Sequence, residues 1–192
     1  RRLMDADLSF YNGLHLEGKM VEVLQKVGRL KPVIAVAEGV PQERLLNTTA
    51  YAGAHDPHLW FDVSIWADVV DHIGAVMQEQ DPEGAEYYAV NGRRYRGELL
   101  ALHREVQAAI ASIPGEQRVL ITAHDAFEYF GRAYSIEVRG LQGISTLSEY
   151  GLRDVAGLVD FIVGRGIKAV FVESSVPRKS LEAVVEGCGQ KG

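Results

Sequence analysis

The sequence predicts an α/β protein with parallel sheets. Three observations carry this. Short apolar runs of strand length alternate with amphipathic helical stretches. The alternation occurs on both sides of one unusually long helical segment. Turn signals, chiefly Gly and Pro, separate the pieces. Strand–helix alternation implies parallel strands joined by crossover helices.

The elements follow in order. Residues 1–7 read as the tail of a helix, and Leu8-Ser9-Phe10-Tyr11 as a first strand ended by the Asn12-Gly13 turn signal. Leu16, Met20, Val23, Leu24 and Val27 recur at helical spacing after His15, with Gly28 as the stop. Val33 to Ala37 is a second strand, bounded by Pro32 and Gly39, and residues 39–57 are loop-like. Asp62 is the expected N-cap of a helix whose apolar face is Ile65, Val69, Ile73, Val76 and Met77.

Asp81-Pro82-Glu83 supplies a cap, a first-turn proline and a first-turn acid. From there to Ile113 nothing must break a helix, which gives roughly 45 Å at 1.5 Å per residue. That exceeds the width of a small lobe, so the segment can tie two lobes together. Pro114-Gly115 ends it. Arg118 to Ala123 is a strand with His124 at its end. A short helix from Phe127 to Tyr134, a strand at Ile136 to Val138 and a polar loop over 139–150 come next. A helix from Leu152 to Val163, a strand from Ile167 to Val172 ending in Glu173-Ser174-Ser175, and a last helix opened by Pro177 complete the chain. The organisation expected is a first lobe over 1–81, a linker helix over 82–113 and a second lobe over 114–192.

Composition narrows the function. A hydrophobic fraction of 47% over 192 residues supports a sizeable core. No apolar run approaches the roughly 18 residues of a membrane span. No basic-then-apolar leader is read at the start, which leaves the compartment open. A net charge of −6 with scattered Lys and Arg argues against a nucleic-acid partner. Cys188 is the single cysteine, so disulfide frameworks and thiolate-rich zinc sites are excluded. A metal site here must use His, Asp and Glu.

Ligands of open parallel sheets bind at the carboxyl ends of the strands. His15 follows the first strand, His124 ends a later one, and His55-Asp-Pro-His58-Leu-Trp-Phe-Asp62 lies beyond the second. Imidazoles from separate loops suit a borderline divalent ion such as Zn²⁺, with neighbouring carboxylates fixing the rings. Asp56, Asp125, Glu173 and Ser175 are the candidates for that support. A histidine at a strand end is often only an ordinary loop or capping residue. His55 and His58 read as a His-x-x-His chelate restricted by Pro57. His72 and His103 read as solvated helix residues, and Trp60-Phe61 as packing. No nucleophile elbow or phosphate loop occurs, so no catalytic residue is assigned. A zinc-dependent hydrolase using His124-Asp125, and a metal-free adhesin or structural module, are the alternatives.

Five segments together resemble one family. They are Asn12-Gly-Leu-His15-Leu-Glu17, His55-Asp-Pro-His58-Leu-Trp-Phe-Asp62, Thr122-Ala-His124-Asp-Ala-Phe127, Leu141-Gln-Gly-Ile-Ser-Thr146 and Phe171-Val-Glu-Ser-Ser175. Their order and spacing are similar to those of the zinc- and manganese-binding solute-binding proteins of ABC importers, the TroA-like and ZnuA-like group. The resemblance implies two α/β lobes joined by a rigid long helix, with metal held in the cleft between them by His15, His58 and His124. It demotes His55 to a supporting role. It also implies an extracytoplasmic, non-enzymatic protein that hands Zn²⁺, or else Mn²⁺ or Fe²⁺, to a membrane permease. His124 stands where manganese-leaning members commonly have Glu, which favours zinc. Family members usually have a further strand–helix unit ahead of the equivalent of Arg1. They also continue past the equivalent of Gly192, where a fourth ligand, usually Asp, lies. Incomplete sheet edges in both lobes, and at most three protein ligands from this chain, are therefore expected.

Overall fold

The computed structural model describes residues 2–48, 53–142, 152–172 and 179–191. The chain divides into two compact units, Arg1–Asn47 with Gly53–Glu105, and Thr48–Ala52 with Val106–Gly192. No described helix is long and apolar enough to cross a membrane.

In the first unit, α1 (Arg2–Asp5) precedes β1 (Ser9–Tyr11), which pairs in parallel with β2 (Val33–Ala35) across α2 (Met20–Gly28). Phe10 sits opposite Ile34. Leu24 and Val27 of α2 are buried, while Leu16, Met20 and Val23 of the expected face are exposed. The helix begins at Met20 rather than just after His15, because residues 13–18 form a series of tight turns. The β2 strand stops at Ala35, and Val36–Gly39 winds into a 3₁₀ turn that packs on α3 (Val63–Gln80). Gly39 is required there, since a Cβ would collide with the His72 ring. His72 is therefore half-buried with its Nε2 enclosed, not the solvated helix residue its sequence position implied.

Asp62 caps α3 as expected, accepting hydrogen bonds from Ser64 N at 3.0 Å and Ile65 N at 3.4 Å. Ile65, Ala67 and Val69 are buried beneath it. Arg44 adds an ion pair to Asp68 and a 2.7 Å hydrogen bond to Ser64 Oγ. Asp81 then accepts from Gly84 N ahead of α4, with Pro82 in the first turn. The long helix α4 (Ala85–Ala111) has 27 residues, and the division between the two units falls within it.

In the second unit, Arg118 covers the helix end, donating to the carbonyls of Ile113 and Ala111 at 2.7 Å each. It leads into β3 (Val119–His124), which is joined through α5 (Glu128–Tyr134) to the parallel strand β4 (Glu137–Gln142). The β4 strand extends through Arg139 and Gly140, which the sequence placed in a polar loop. Pairing with the buried β3 overrides their low strand propensity. Gly131 and Gly140 permit close approach: a Cβ at 131 would lie 2.9 Å from Ile136 O, and one at 140 would lie 2.7 Å from Asp125 N. Helices α6 (Leu152–Arg165) and α7 (Lys179–Lys191) pack together over Ile121, Ala123 and Leu141, with Leu158, Val159, Ile162, Leu181 and Val184 closing the core.

The expected strand over 167–172 is reduced to a single parallel bridge, Thr122 with Phe171, and Phe171 and Val172 are exposed. An apolar run without a ladder on both sides gains too little burial to extend. The remaining expected features over 143–151 and 173–178 lie outside the described residues.

Candidate metal centre

His15 follows β1, His58 lies in the loop region beyond β2 and His124 ends β3, and each is held differently. His58 follows an antiparallel bridge between Asn47 and His55 and is buried, 5% exposed. Asp56, itself 1% exposed, accepts two hydrogen bonds on one oxygen. One comes from His58 N at 2.9 Å, and the other joins His58 Nδ1 at 2.7 Å. A carboxylate on Nδ1 favours the tautomer with its proton there, leaving Nε2 as the nitrogen with ligand character. Trp60 meets the ring edge-on at 5.4 Å, which restricts its rotation. Asp56, one of the carboxylates put forward from the sequence, thus holds the His58 ring.

His55 is not absorbed into this arrangement. Its Nδ1 is buried without a hydrogen-bond partner among the described residues. With Tyr11, His15, Glu38 and Gln42 it lines a cavity of about 450 Å³ in the first unit. Burial, and then the charges of Glu38 and Glu17, raise the Tyr11 phenol above its ordinary value.

His15 is exposed and is placed by backbone conformation. Gly13, Leu14 and His15 all have positive φ, at 87°, 53° and 65°. For Leu and His this costs roughly 1–2 kcal/mol each. The Glu17 carboxylate braces the turn, accepting from Asn12 N at 2.7 Å and from Gly13 N at 3.2 Å. Asn12 Nδ2 donates to Pro57 O at 3.1 Å, joining the His15 turn to the peptide beside His58. Sequence reasoning gave Asn12 a role only as a turn signal and gave Glu17 none. The available signal was an Asn-Gly turn, with unpaired N–H groups, followed four residues on by an acid.

His124, in the second unit, is the last residue of β3 and pairs with Gln142. Its carbonyl accepts from Thr122 Oγ1 at 2.9 Å and from Ala126 N at 3.0 Å, fixing the backbone at the strand's end. Among the described residues, no three or more His, Cys, Asp or Glu side chains are grouped so as to hold a metal ion. Glu173 and Ser175 lie outside the described residues.

Known proteins show the same architecture. The chain is 49% identical over 192 residues to the manganese-binding lipoprotein MntA of Bacillus subtilis, covering all of this chain and 62% of that protein. It is 41% identical over 190 residues to the zinc-binding protein TroA of Treponema pallidum, covering 99% of this chain and 61% of that protein. The solved structure of the periplasmic zinc-binding TroA superposes with a TM-score of 0.94 over 99% of this chain and 68% of that one. PsaA of Streptococcus mitis, a manganese ABC transporter substrate-binding lipoprotein, is 30% identical over 191 residues, covering 96% of this chain and 61% of that protein. The chain thus spans about three-fifths of the curated relatives it matches.

The class these relatives define is that of metal-binding proteins, named as lipoproteins, as a periplasmic zinc-binding protein and as the substrate-binding component of an ABC transporter, and none is named as an enzyme. Residues 1–192 match the family described as "Zinc-uptake complex component A periplasmic" throughout, and the chain belongs to that family.

Proposed function

We propose that this chain is the metal-capturing part of an extracytoplasmic receptor that binds a divalent cation, zinc in preference to manganese or iron, and passes it to the permease of an ABC importer. In this reading His15, His58 and His124 are the ligands. The fourth position is open to water, an anion or a neighbouring chain. The three-part division into 1–81, 82–113 and 114–192 belongs to the same reading.

The observation that carries it is the Asp56–His58 pair, with a 2.7 Å contact to Nδ1 from a buried carboxylate. Ligating histidines are fixed in this way, and a histidine serving only as loop filler has no need of it. The residue types favour zinc, because imidazoles suit it, whereas manganese prefers carboxylate oxygens. The relatives include both a manganese-binding and a zinc-binding protein, so the choice of metal rests on the ligand chemistry.

The test is a competition titration of the intact protein with zinc, manganese and iron, after purification without chelators. Zinc is expected to win. His58→Ala is expected to lower its affinity by about tenfold or more, with the fold retained. Unchanged affinity removes His58 from the site. Acid should release the metal, because protons compete for the imidazole nitrogens.

A further inference from the structure

The peptide unit between Pro57 and His58 lies among buried residues and is held at both of its polar ends. Its N–H donates to Asp56 Oδ1 at 2.9 Å, the same oxygen that meets the His58 ring at Nδ1. Its carbonyl, Pro57 O, accepts from Asn12 Nδ2 at 3.1 Å, across 45 residues of sequence. The first tie is local. The second is brought in from the end of β1. A buried carbonyl needs a partner, and satisfying it is the least that Asn12 does.

Asn12 is itself anchored. Its carbonyl accepts from Ala37 N at 3.0 Å, which carries the parallel pairing of β1 with β2 past Tyr11 and Ala35. Its N–H donates to Glu17 Oε1 at 2.7 Å. With both backbone groups engaged, the side-chain amide starts from a fixed point at the sheet's end. That amide faces two carbonyl oxygens, Gly13 O and Pro57 O, at 3.1 Å each. Two acceptors demand a group with two hydrogens to give, so an amide fits here and a carboxylate does not.

The consequence is mechanical. A peptide held only by its N–H can pivot about that bond. Pivoting swings the His58 Cα–Cβ bond and carries Nε2 with it. A second bond at the carbonyl end stops the pivot. A binding side chain must be held within about 0.5 Å of its working position, so the peptide beneath the ring matters as well as the ring's own bond.

We propose that Asn12 is a positioning residue for His58. From the end of β1 it fixes the carbonyl end of the Pro57–His58 peptide, whose N–H end Asp56 fixes. The proposal rests on the reading of His58 as a metal ligand; Asn12 itself touches no metal.

The experiment uses the intact protein with zinc as the probe. Asn12→Ala should move the His58 backbone amide resonance in the metal-free protein. It should also lower zinc affinity, measured by chelator competition, by about three- to tenfold, the factor to which one neutral hydrogen bond converts. Asn12→Asp keeps the size of the side chain but sets an acceptor against two carbonyl oxygens, and should lose at least as much. Asp81→Ala is the control. It removes a helix cap, the acceptor of Gly84 N at 3.3 Å, and so costs stability without touching this peptide. Its zinc affinity should stay within about twofold of the parent. A residue that only satisfies a buried carbonyl predicts that same result for Asn12→Ala, because the titration reads the folded protein.

A second readout needs no variant, and it decides the matter even where Asn12→Ala fails to fold. If the Asn12 bond favours zinc, zinc must favour the Asn12 bond by the same factor. Exchange of the Asn12 side-chain amide hydrogens should therefore slow by about threefold or more on zinc loading. The Asn91 amide, which donates to Tyr87 O at 2.9 Å on α4, should not follow it.

Parent-like affinity in Asn12→Ala, an equal loss in Asp81→Ala, or unaltered exchange at Asn12 overturns the proposal. His58→Ala run alongside separates the two claims. If it leaves affinity unchanged, the ligand reading has failed and the positioning role with it. If it lowers affinity while Asn12→Ala does not, only the role of Asn12 is wrong.

Discussion

His58 and His15 lie in the same unit and are held in opposite ways. His58 is buried, and its ring is fixed directly, through Nδ1, by a carboxylate two residues earlier. His15 is exposed, and it is the peptide beneath it that is fixed, by a carboxylate two residues later holding N–H groups on the far side of the turn. The difference teaches that burial decides which handle is available. A buried imidazole can be oriented by a short hydrogen bond that water cannot disrupt. For an exposed ring, water competes for any such bond, so direction must come from the backbone.

The comparison can be broken from either side. The largest effect is expected from Asp56→Ala. Two buried donors, His58 N and Nδ1, lose their acceptor, at a cost of about 2–4 kcal/mol of stability. Urea unfolding measures this, and a loss under about 0.5 kcal/mol would show that the pair is not a buried linchpin.

Gly13→Ala attacks the other side. Its φ is 87°, and a Cβ would sit 3.0 Å from Ala35 Cβ, so a loss of about 1–2 kcal/mol is expected. The His58 ring resonances should stay where they are, because the Asp56 bond is independent of the turn. If they move, the two supports are coupled more tightly than Asn12 alone implies.

Tyr11 gives the smallest effect and sharpens the cavity wall beside His15. Burial first, then Glu38 and Glu17, raise its phenol above 10.0, so the native state keeps the proton longer than the unfolded chain. That share of stability is present in full below the unfolded value and is lost as pH rises through the native one. Between about pH 9 and pH 11, Tyr11→Phe should lose less stability than the parent. Equal losses would place the alkaline sensitivity elsewhere.

Much of this was legible in the sequence, for physical reasons that differ by residue. Asp62 and Asp81 announce their helices because capping is local chemistry, and both perform it, with Pro82 in the first turn after Asp81. His124 falls at a strand end because the run before it has the length and apolarity of a buried strand. Asp56 was readable as support because it is only two residues from His58.

What escaped was non-local. The positive φ of Leu14 and His15 could not be read from the sequence, and helix α2 begins only after the turns over residues 13–18. His72 lies on an ordinary helical face and is enclosed only because Gly39, 33 residues away, makes room for it. The run at 167–172 has strand composition but finds only one bridge, at Phe171.

The central claim is that three histidines from separate segments bind one metal. The most direct test measures zinc affinity by chelator competition for His15→Ala, His58→Ala and His124→Ala side by side, with His55→Ala as the control. The account predicts a loss of about tenfold or more for each of the first three and a smaller one for the control. Parent-like affinity in any of the three, or a loss at His55 equal to that at His58, would contradict it.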